Sequence, residues 1–255
     1  MRRGGVQLGQ HFLVDDNLLE VIGGLAELDA ADVVLEIGPG LGALTRYLAE
    51  HVAHVHAVEL DRGLRAALEA LVGGGNVSLR FEDALAVDLG SLEPPPTKLV
   101  SNLPYSIATP VVVESLDRLP TVELWCVMVQ REVGDRFFAL PSTKAYGAVS
   151  VLVQLVTRRT AFRPVSRTVF RPPPHVDSAL VAFRRTGLPG DYQAVKRVVV
   201  AAFSHRRKTL ANSLALAGHT RRDDAAAALE TIGLRPDVRA QMLTPPQYLE
   251  LARLL

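Results

Sequence analysis

Short apolar runs alternate with amphipathic stretches along the first three quarters of the chain. The stretch between the first two runs has helical spacing, with Leu41, Leu44 and Leu48 on one face. Near-continuous apolar strands joined by helices are typical of a parallel sheet that is covered on both faces. We therefore predict an α/β fold with strands at residues 33–37, 52–58, 77–81, 98–101, 123–129, 159–164 and 178–184.

The pattern changes near residue 188. The segment Gly187-Leu-Pro-Gly190 ends the strand-like text, and helix-like text follows it. Glycine and proline together favour a break between elements. We predict helices at residues 192–203, 206–217, 222–232 and 246–254. The chain is thus predicted to contain an α/β catalytic domain over residues 1–187 and a small all-helical domain over residues 188–255.

Charge is segregated along the sequence, although the formal net charge is only +1. Residues 1–130 carry 8 Lys+Arg against 18 Asp+Glu, whereas residues 131–222 carry 17 against 4. A basic segment of this length favours contact with nucleic acid, because neutralising phosphates supplies the sequence-independent part of the affinity. A solvated charged surface without a ligand is the alternative.

Several classes of protein are disfavoured by composition. No run approaches the roughly 18 apolar residues that a membrane span needs, and no apolar signal segment follows the start, so we predict a cytoplasmic protein without membrane contact. Cys126 is the single cysteine, which excludes an intrachain disulfide. The histidines lack metal-ligand spacing, so no metal site is predicted. His54 and His56 share a face of one predicted strand and are interpreted as facing solvent.

A glycine-rich turn follows the first predicted strand. Gly38, Gly40 and Gly42 lie in the text Glu-Ile-Gly-Pro-Gly-Leu-Gly, where they let the backbone turn tightly and approach a ligand closely. A dinucleotide fingerprint places its third glycine three residues after the second, whereas Gly42 follows Gly40 by two. A dinucleotide is therefore disfavoured, and a glycine turn with no ligand stays open.

Acidic residues follow the next two predicted strands. Glu59 is placed to accept hydrogen bonds from both hydroxyls of a ribose, and Asp83 to accept one from an adenine amino group. Either acid alone would more often be a surface residue or a helix cap. Together with the glycine turn they predict a pocket for an adenosine with a short tail. The glycine turn contains no Lys or Arg, which favours S-adenosylmethionine over NAD or ATP.

The fourth predicted strand leads into Asn102-Leu103-Pro104-Tyr105, which resembles the tetrapeptide of methyltransferases that act on exocyclic amino groups. The amino nitrogen of adenine is a poor nucleophile because its lone pair is delocalised. If the Asn102 side-chain oxygen and the Leu103 carbonyl hold its hydrogens, the lone pair can aim at a methyl group. Pro104 fixes the turn and Tyr105 offers a ring for stacking. A strand-end turn with an Asn cap and a core Tyr is the alternative.

A family resemblance extends these motifs over most of the chain. The segments that carry it are residues 9–15, 36–42, 102–107, 128–133, 142–147, 170–179 and 203–210. They resemble the KsgA family of small-subunit rRNA adenine dimethyltransferases. The resemblance implies a class I S-adenosylmethionine-dependent methyltransferase with a Rossmann-like sheet and a C-terminal helical domain. It also implies transfer of two methyl groups to N6 of each of two adjacent adenosines in the 3'-terminal hairpin of 16S rRNA, with a pre-30S particle as partner and a role in small-subunit biogenesis.

The resemblance also assigns residues to roles. The cofactor would be lined by His11, Leu13, Gly38, Gly40, Glu59, Asp83 and Asn102. Phe170 would stack on the target base opposite Tyr105, although a phenylalanine before a proline run is more often a buried anchor. The basic triplet Arg206-Arg207-Lys208 would bind the RNA backbone, with an unliganded cluster on a helix surface as the alternative.

Three rival functions stay open. An Erm-type enzyme would modify an adenosine of 23S rRNA, and a non-catalytic RNA-binding assembly or transcription factor would keep the fold without the chemistry. A NAD-dependent oxidoreductase is disfavoured by the glycine spacing. Ser106 and Ala108 depart from the commonest family text, which leaves side-chain contacts at those two positions open.

Overall fold

The chain is described by a computed structural model that covers residues 11–13, 15–72 and 75–255. It divides into two compact units: unit 1 is Met1–Gly134 with Arg159–Arg184, and unit 2 is Asp135–Arg158 with Arg185–Leu255. This division differs from the boundary predicted near residue 188. Residues 135–158 group with the C-terminal helices, which the strand and helix pattern alone could not reveal.

Nine strands and ten helices are formed by the described residues. The strands are β1 (Phe12–Leu13), β2 (Val33–Ile37), β3 (His54–Val58), β4 (Val77–Arg80), β5 (Lys98–Asn102), β6 (Leu124–Gln130), β7 (Thr157–Val165), β8 (Phe170–Arg171) and β9 (Ser178–Arg185). The helices are α1 (Asp16–Ala26), α2 (Ala43–His51), α3 (Arg65–Val72), α4 (Ala108–Arg118), α5 (Arg131–Phe137), α6 (Ala148–Val156), α7 (Tyr192–Phe203), α8 (Leu210–Leu216), α9 (Arg222–Thr231) and α10 (Pro245–Ala252).

Seven strands form one sheet in the order β4-β3-β2-β5-β6-β9-β7. Strands β4, β3, β2, β5 and β6 are parallel to one another, and β9 runs antiparallel to β6. Each predicted strand corresponds to a strand of this sheet, with ends that differ by at most two residues. Because the central strands are parallel, the loops after β2, β3, β4 and β5 meet at one edge of the sheet.

A second, two-stranded pairing was not predicted from the sequence. Strands β1 and β8 pair antiparallel, with Phe12 opposite Arg171 and Leu13 opposite Phe170. Two-residue strands carry no detectable periodicity, so only the tertiary structure reveals them. The pairing ties the segment before α1 to the segment before β9.

Each unit contains buried side chains of its own. In unit 1 the side chains of α1 and α2 pack on the sheet, and Trp125 stacks on Phe183 with ring centroids 5.4 Å apart. In unit 2 the buried Tyr146 hydroxyl donates to the Leu243 carbonyl at 2.8 Å, which satisfies a polar group that would otherwise be costly to bury. None of the helices in the described part of the chain has the length and apolarity needed for a bilayer span.

Two local expectations are corrected. His56 does not face solvent: it is 1% exposed, and its Nε2 donates to the Pro94 carbonyl at 2.8 Å. Its ring lies beside that of His54, with centroids 4.6 Å apart, so the predicted shared face is observed. The helix predicted from residue 206 begins at Leu210, because Thr209 caps it by accepting from the Asn212 backbone N–H.

Candidate active site

A cavity of about 620 Å³ opens at the carboxyl ends of the parallel strands in unit 1. Its volume is within the range of sites for small organic ligands. Most of the residues predicted to form the cofactor and reaction sites line it: His11, Leu13, Gly38, Gly40, Glu59, Asp83, Asn102, Leu103, Pro104 and Tyr105. The topology thus brings together side chains that are up to 94 positions apart in the sequence.

The glycine turn adopts the backbone that its residues predict. Gly38, Gly40 and Gly42 have φ angles of +76°, +60° and +82°, a region that favours glycine. A Cβ atom on Gly38 would lie 2.8 Å from Cγ of Pro104, so this turn packs directly against the turn after β5. The missing side chain is therefore a requirement of packing as well as of backbone conformation.

Glu59 is held in place at the end of β3. It is 5% exposed; its Oε2 accepts from the Gly40 backbone N–H at 3.1 Å, and its Oε1 accepts from that of Asp61 at 2.8 Å. Each carboxylate oxygen can accept a further hydrogen bond. The carboxylate therefore braces the glycine turn and keeps acceptor capacity for a ligand.

Asp83 is more exposed and belongs to a local turn. Its Oδ1 accepts from the Leu85 backbone N–H at 2.9 Å, and its carbonyl accepts from the N–H groups of Ala86 and Val87. These bonds fix the side chain at the rim of the cavity. Its second carboxylate oxygen keeps its acceptor capacity for a ligand.

Glu36 belongs to the glycine motif, and the sequence alone predicts no role for it. It is 1% exposed at the end of β2 and lines the cavity, and its Oε2 has no hydrogen-bond partner among the described residues. Burial, reinforced by the nearby Glu59 carboxylate, raises the pKa of Glu36 to about 8. The sequence signal was available, since an acidic residue interrupts an otherwise apolar strand.

The Asn102 turn, residues 102–105, leaves β5 at the mouth of the cavity. Asn102 Nδ2 donates to the His11 carbonyl at 3.3 Å, and the His11 ring in turn donates from Nδ1 to the Pro172 carbonyl at 2.8 Å. The Leu103 N–H donates to the Met128 carbonyl at 3.0 Å. The side-chain nitrogen of Asn102 thus donates within the protein. The other hydrogen-bonding atom of this side chain is Oδ1, which is an acceptor.

Tyr105 ends this turn with its ring half-buried. Its hydroxyl lies 2.7 Å from the Ser178 hydroxyl, and its ring centroid lies 5.8 Å from that of His11. Burial raises the pKa of the Tyr105 phenol above its usual value, and the Ser178 hydrogen bond lowers it by less. The phenol is therefore protonated at neutral pH.

Phe170 is not brought to the cavity. It is 2% exposed and packs in the core of unit 1, in the same cluster as Leu13, Val165 and Leu180. The antiparallel pairing of β8 with β1 turns its ring inward, against that core. Phe170 is therefore a buried anchor and does not lie where it could stack on a base in the cavity.

The predicted RNA-binding triplet lies in unit 2, in an exposed turn between α7 and α8. Arg206 Nη2 donates to the Tyr146 carbonyl at 2.8 Å, which anchors one end of this basic turn, residues 205–208. Arg207 and Lys208 are exposed and make no ion pair with any described residue. The triplet is thus presented by a turn and not by the surface of a helix.

Comparisons with known proteins agree with the geometry of the site. A protein from Rubrobacter xylanophilus named ribosomal RNA small subunit methyltransferase A is 47% identical over 249 residues, which cover 97% of this chain and 93% of that protein. The solved structure of a dimethyladenosine transferase from Plasmodium falciparum has a TM-score of 0.78 at 23% identity and covers 94% of this chain and 96% of its own.

The solved structure of the 23S rRNA methyltransferase ErmE has a TM-score of 0.67 at 29% identity and covers 96% of this chain and 99% of its own. The predicted fold class is confirmed, since unit 1 has the mostly parallel sheet of class I S-adenosylmethionine-dependent methyltransferases. The sequence matches the family described as ribosomal RNA adenine dimethylase over residues 1–255. The chain therefore belongs to the ribosomal RNA adenine dimethylase family.

Proposed function

We propose that this protein transfers methyl groups from S-adenosylmethionine to N6 of two adjacent adenosines in the 3'-terminal hairpin of small-subunit rRNA. The target is supported by the relative that is 47% identical and is named for the small subunit. The observation that carries the chemistry is the Asn102 amide, whose nitrogen is engaged with the His11 carbonyl at the mouth of the cavity.

The cavity fits S-adenosylmethionine by its charge. Its lining contains the carboxyl groups of Glu59, Glu82 and Asp83 and, among the described residues, no Lys or Arg. Glu36 also lines it, but the raised pKa of this buried carboxyl keeps it mostly neutral at pH 7. Such a lining suits a cationic cofactor and disfavours a polyphosphate. When bound, S-adenosylmethionine supplies a methyl group that its sulfonium activates for transfer.

Different lining residues would contact different parts of the cofactor. Glu59 would accept from the ribose hydroxyls and Asp83 from the adenine amino group, while the backbone at Gly38 and Gly40 allows close approach. Leu13 would add apolar contact, and His11 would contribute beside the Asn102 turn. These contacts would orient the cofactor in the cavity.

The Asn102 turn would prepare the incoming amine. The Asn102 Oδ1 and the Leu103 carbonyl accept the two hydrogens of the adenine N6 group, so the nitrogen pyramidalises and directs its lone pair into the cavity. Pro104 fixes the backbone that presents the carbonyl, and the Tyr105 ring stacks on the extruded base. No strong base would be required, because N6 carries a positive charge once it has accepted the methyl group and then readily releases one hydrogen as a proton to solvent.

RNA contact outside the reaction site is assigned to the basic turn. Its basic side chains, Arg206, Arg207 and Lys208, would bind phosphates of the RNA backbone. Such contacts add affinity that does not depend on the base sequence. A partly assembled small subunit in the cytoplasm is the proposed partner, with a role in small-subunit biogenesis.

The test is to incubate the purified protein with labelled S-adenosylmethionine and undermethylated small or large subunits, and to identify the modified nucleoside after digestion. We expect N6,N6-dimethyladenosine from the small subunit. Label in the large subunit would move the assignment to the activity that ErmE is named for. Binding of the cofactor without label in either subunit would favour a non-catalytic assembly factor.

A further inference from the structure

Ser178 opens β9 at the edge of the sheet that carries the reaction site. It lies opposite Gln130 in the antiparallel pairing of β9 with β6, and Asn102 lies opposite Met128 in the parallel pairing of β5 with β6. The start of β9 and the end of β5 therefore reach the same edge, on either side of β6. Ser178 was not predicted to be a site residue.

The Ser178 side chain is fully buried, with 0% exposure, and its hydroxyl lies 2.7 Å from that of Tyr105. A buried hydroxyl without a partner is costly, so this hydrogen bond is strongly favoured. It joins residues that are 73 positions apart in the sequence. The Tyr105 ring is consequently held at both ends, by its backbone in the Asn102 turn and by its hydroxyl at β9.

The backbone around Ser178 is itself fixed. The carbonyl of the preceding residue, Asp177, accepts from the Arg131 N–H at 3.0 Å, and the Asp177 carboxylate lies 3.7 Å from Nε of Arg167. The Ser178 hydroxyl is thus attached to a segment held by both its strand pairing and its neighbours. A hydroxyl on such a support can define the orientation of a ring.

We propose that Ser178 is a positioning residue for methyl transfer: its hydroxyl fixes the ring of Tyr105 as the surface on which the target adenine stacks. This rests on the proposed function of the Asn102 turn. Stacking sets the plane of the base, and the plane sets the direction of the N6 lone pair, so a ring that tilts would misalign the reacting atoms. Misplacement of about 1 Å can lower a rate 100-fold.

The experiment compares Ser178→Ala, Tyr105→Phe and the double variant with the wild-type protein. Single-turnover methyl transfer and the dissociation constant for S-adenosylmethionine are measured for each. We expect Ser178→Ala to lower the single-turnover rate about tenfold, with the cofactor dissociation constant within twofold of wild type. Because both single substitutions remove the same hydrogen bond, the double variant should be no slower than the slower single variant.

Ser115→Ala is the matched control. Ser115 is also a fully buried serine of unit 1, and its hydroxyl accepts from Nε1 of Trp125 at 2.8 Å, in α4 and away from the cavity lining. This substitution removes a serine–aromatic hydrogen bond of the same kind. It should lower the melting temperature as Ser178→Ala does and leave the single-turnover rate unchanged.

Two results would overturn the role of Ser178: equal rates for Ser178→Ala and Ser115→Ala, or losses that multiply in the double variant. All variants are assayed on whichever ribosomal subunit the wild-type protein methylates. Label in the large subunit would then overturn the proposed target, while the comparison of variants would still decide the role of Ser178.

Discussion

The Asn102 turn and the basic turn are both short connections that follow a buried element, yet they are built in opposite ways. In the Asn102 turn the side chains of Asn102 and Tyr105 are engaged with His11 and Ser178. In the basic turn Arg207 and Lys208 are exposed and make no ion pair with a described residue.

This difference reflects what each turn would recognise. Aligning one amino group with a methyl donor requires side chains that are already oriented, because reorganisation at the moment of reaction raises the barrier. Attraction to a phosphate backbone requires only charge near the surface. Substitutions in the first turn should therefore act on the rate, and substitutions in the second on affinity and its dependence on salt.

The largest effect is expected from Asn102→Ala. The substitution removes the acceptor of one N6 hydrogen, so we expect the single-turnover rate of methyl transfer to fall at least about 100-fold. The affinity for S-adenosylmethionine, measured by calorimetry, should stay within about tenfold, since the residue acts chiefly on the incoming amine. Equal losses in affinity and in rate would contradict this division of roles.

Gly38→Ala tests whether the packing of the two cavity turns sets the affinity for the cofactor. The added Cβ would lie 2.8 Å from the Pro104 ring at a φ of +76°, so either the ring or the glycine turn must move. We expect the dissociation constant for S-adenosylmethionine to rise about tenfold, which corresponds to about 1.4 kcal/mol.

Gly24→Ala is the control for that substitution. A Cβ on Gly24, within α1, meets no atom within 4 Å. Alanine is favoured over glycine in a helix, so this variant should bind the cofactor normally and be more stable by about 0.5–1 kcal/mol. If Gly38→Ala binds the cofactor as tightly as the wild-type protein does, the affinity does not depend on the packing of Gly38 against Pro104.

The basic turn is tested by combining Arg207→Gln with Lys208→Gln. Two lost phosphate contacts should lower the slope of log affinity against log salt by about 2, with the rate at saturating RNA unchanged. Arg206 is kept in this variant, because its bond to the Tyr146 carbonyl would add a packing effect. Binding is measured by filter retention of small subunits at several salt concentrations.

The matched control removes the same charge elsewhere in unit 2. Arg221 and Arg222 lie 4.0 and 3.8 Å from carboxylate oxygens of Asp224 and Asp223, so their charges are already balanced locally. Replacing both by Gln should change the salt dependence little. An equal change in both variants would indicate a general charge effect and not a specific contact of the basic turn.

The sequence predicted the Asn102 turn better than it predicted the structure that supports it. Strand periodicity and residue chemistry were sufficient to bring Glu59, Asp83 and Asn102 to one edge of a sheet. They could not distinguish Phe170, which packs in the core, from Ser178, which contacts Tyr105. That distinction depends on the pairing of β8 and the register of β9, which long-range contacts determine and local periodicity does not encode.

The unit boundary escaped prediction for a related reason. The stretch 135–158 contains α6, an apolar helix whose neighbours in sequence belong to the α/β pattern. In unit 2, α6 contacts α7 and α10. Just before α6, the Tyr146 hydroxyl donates to the Leu243 carbonyl, 97 positions away. A helical segment inserted between two strands of the sheet carries no compositional mark of the unit to which it belongs.

Glu36→Gln is expected to change the pH dependence of stability, and it contrasts the buried carboxyl of the cavity with exposed charge. Because the pKa of Glu36 is raised from 4.5 to about 8 on folding, the folded state binds its proton more tightly than the unfolded state. The resulting stability is fully present below pH 4.5 and is lost as the pH rises through about 8. Within that window the free energy of unfolding falls as the pH rises, because the unfolded state releases the Glu36 proton and the folded state keeps it.

Glutamine cannot ionise, so the melting temperature of Glu36→Gln should fall less between pH 5 and pH 8 than that of the wild-type protein, as followed by calorimetry. The quantity to compare is the slope of melting temperature against pH. The glutamine amide, with an unpartnered buried atom, also lowers the stability, but by an amount that does not vary with pH. Glu50→Gln, on the exposed side of α2, should give a curve parallel to that of the wild type. If the curve of Glu36→Gln is also parallel to that of the wild type, Glu36 is ionised in the folded protein. The cavity would then contain no neutral buried carboxyl, and this difference between the cavity and the exposed basic turn would not exist.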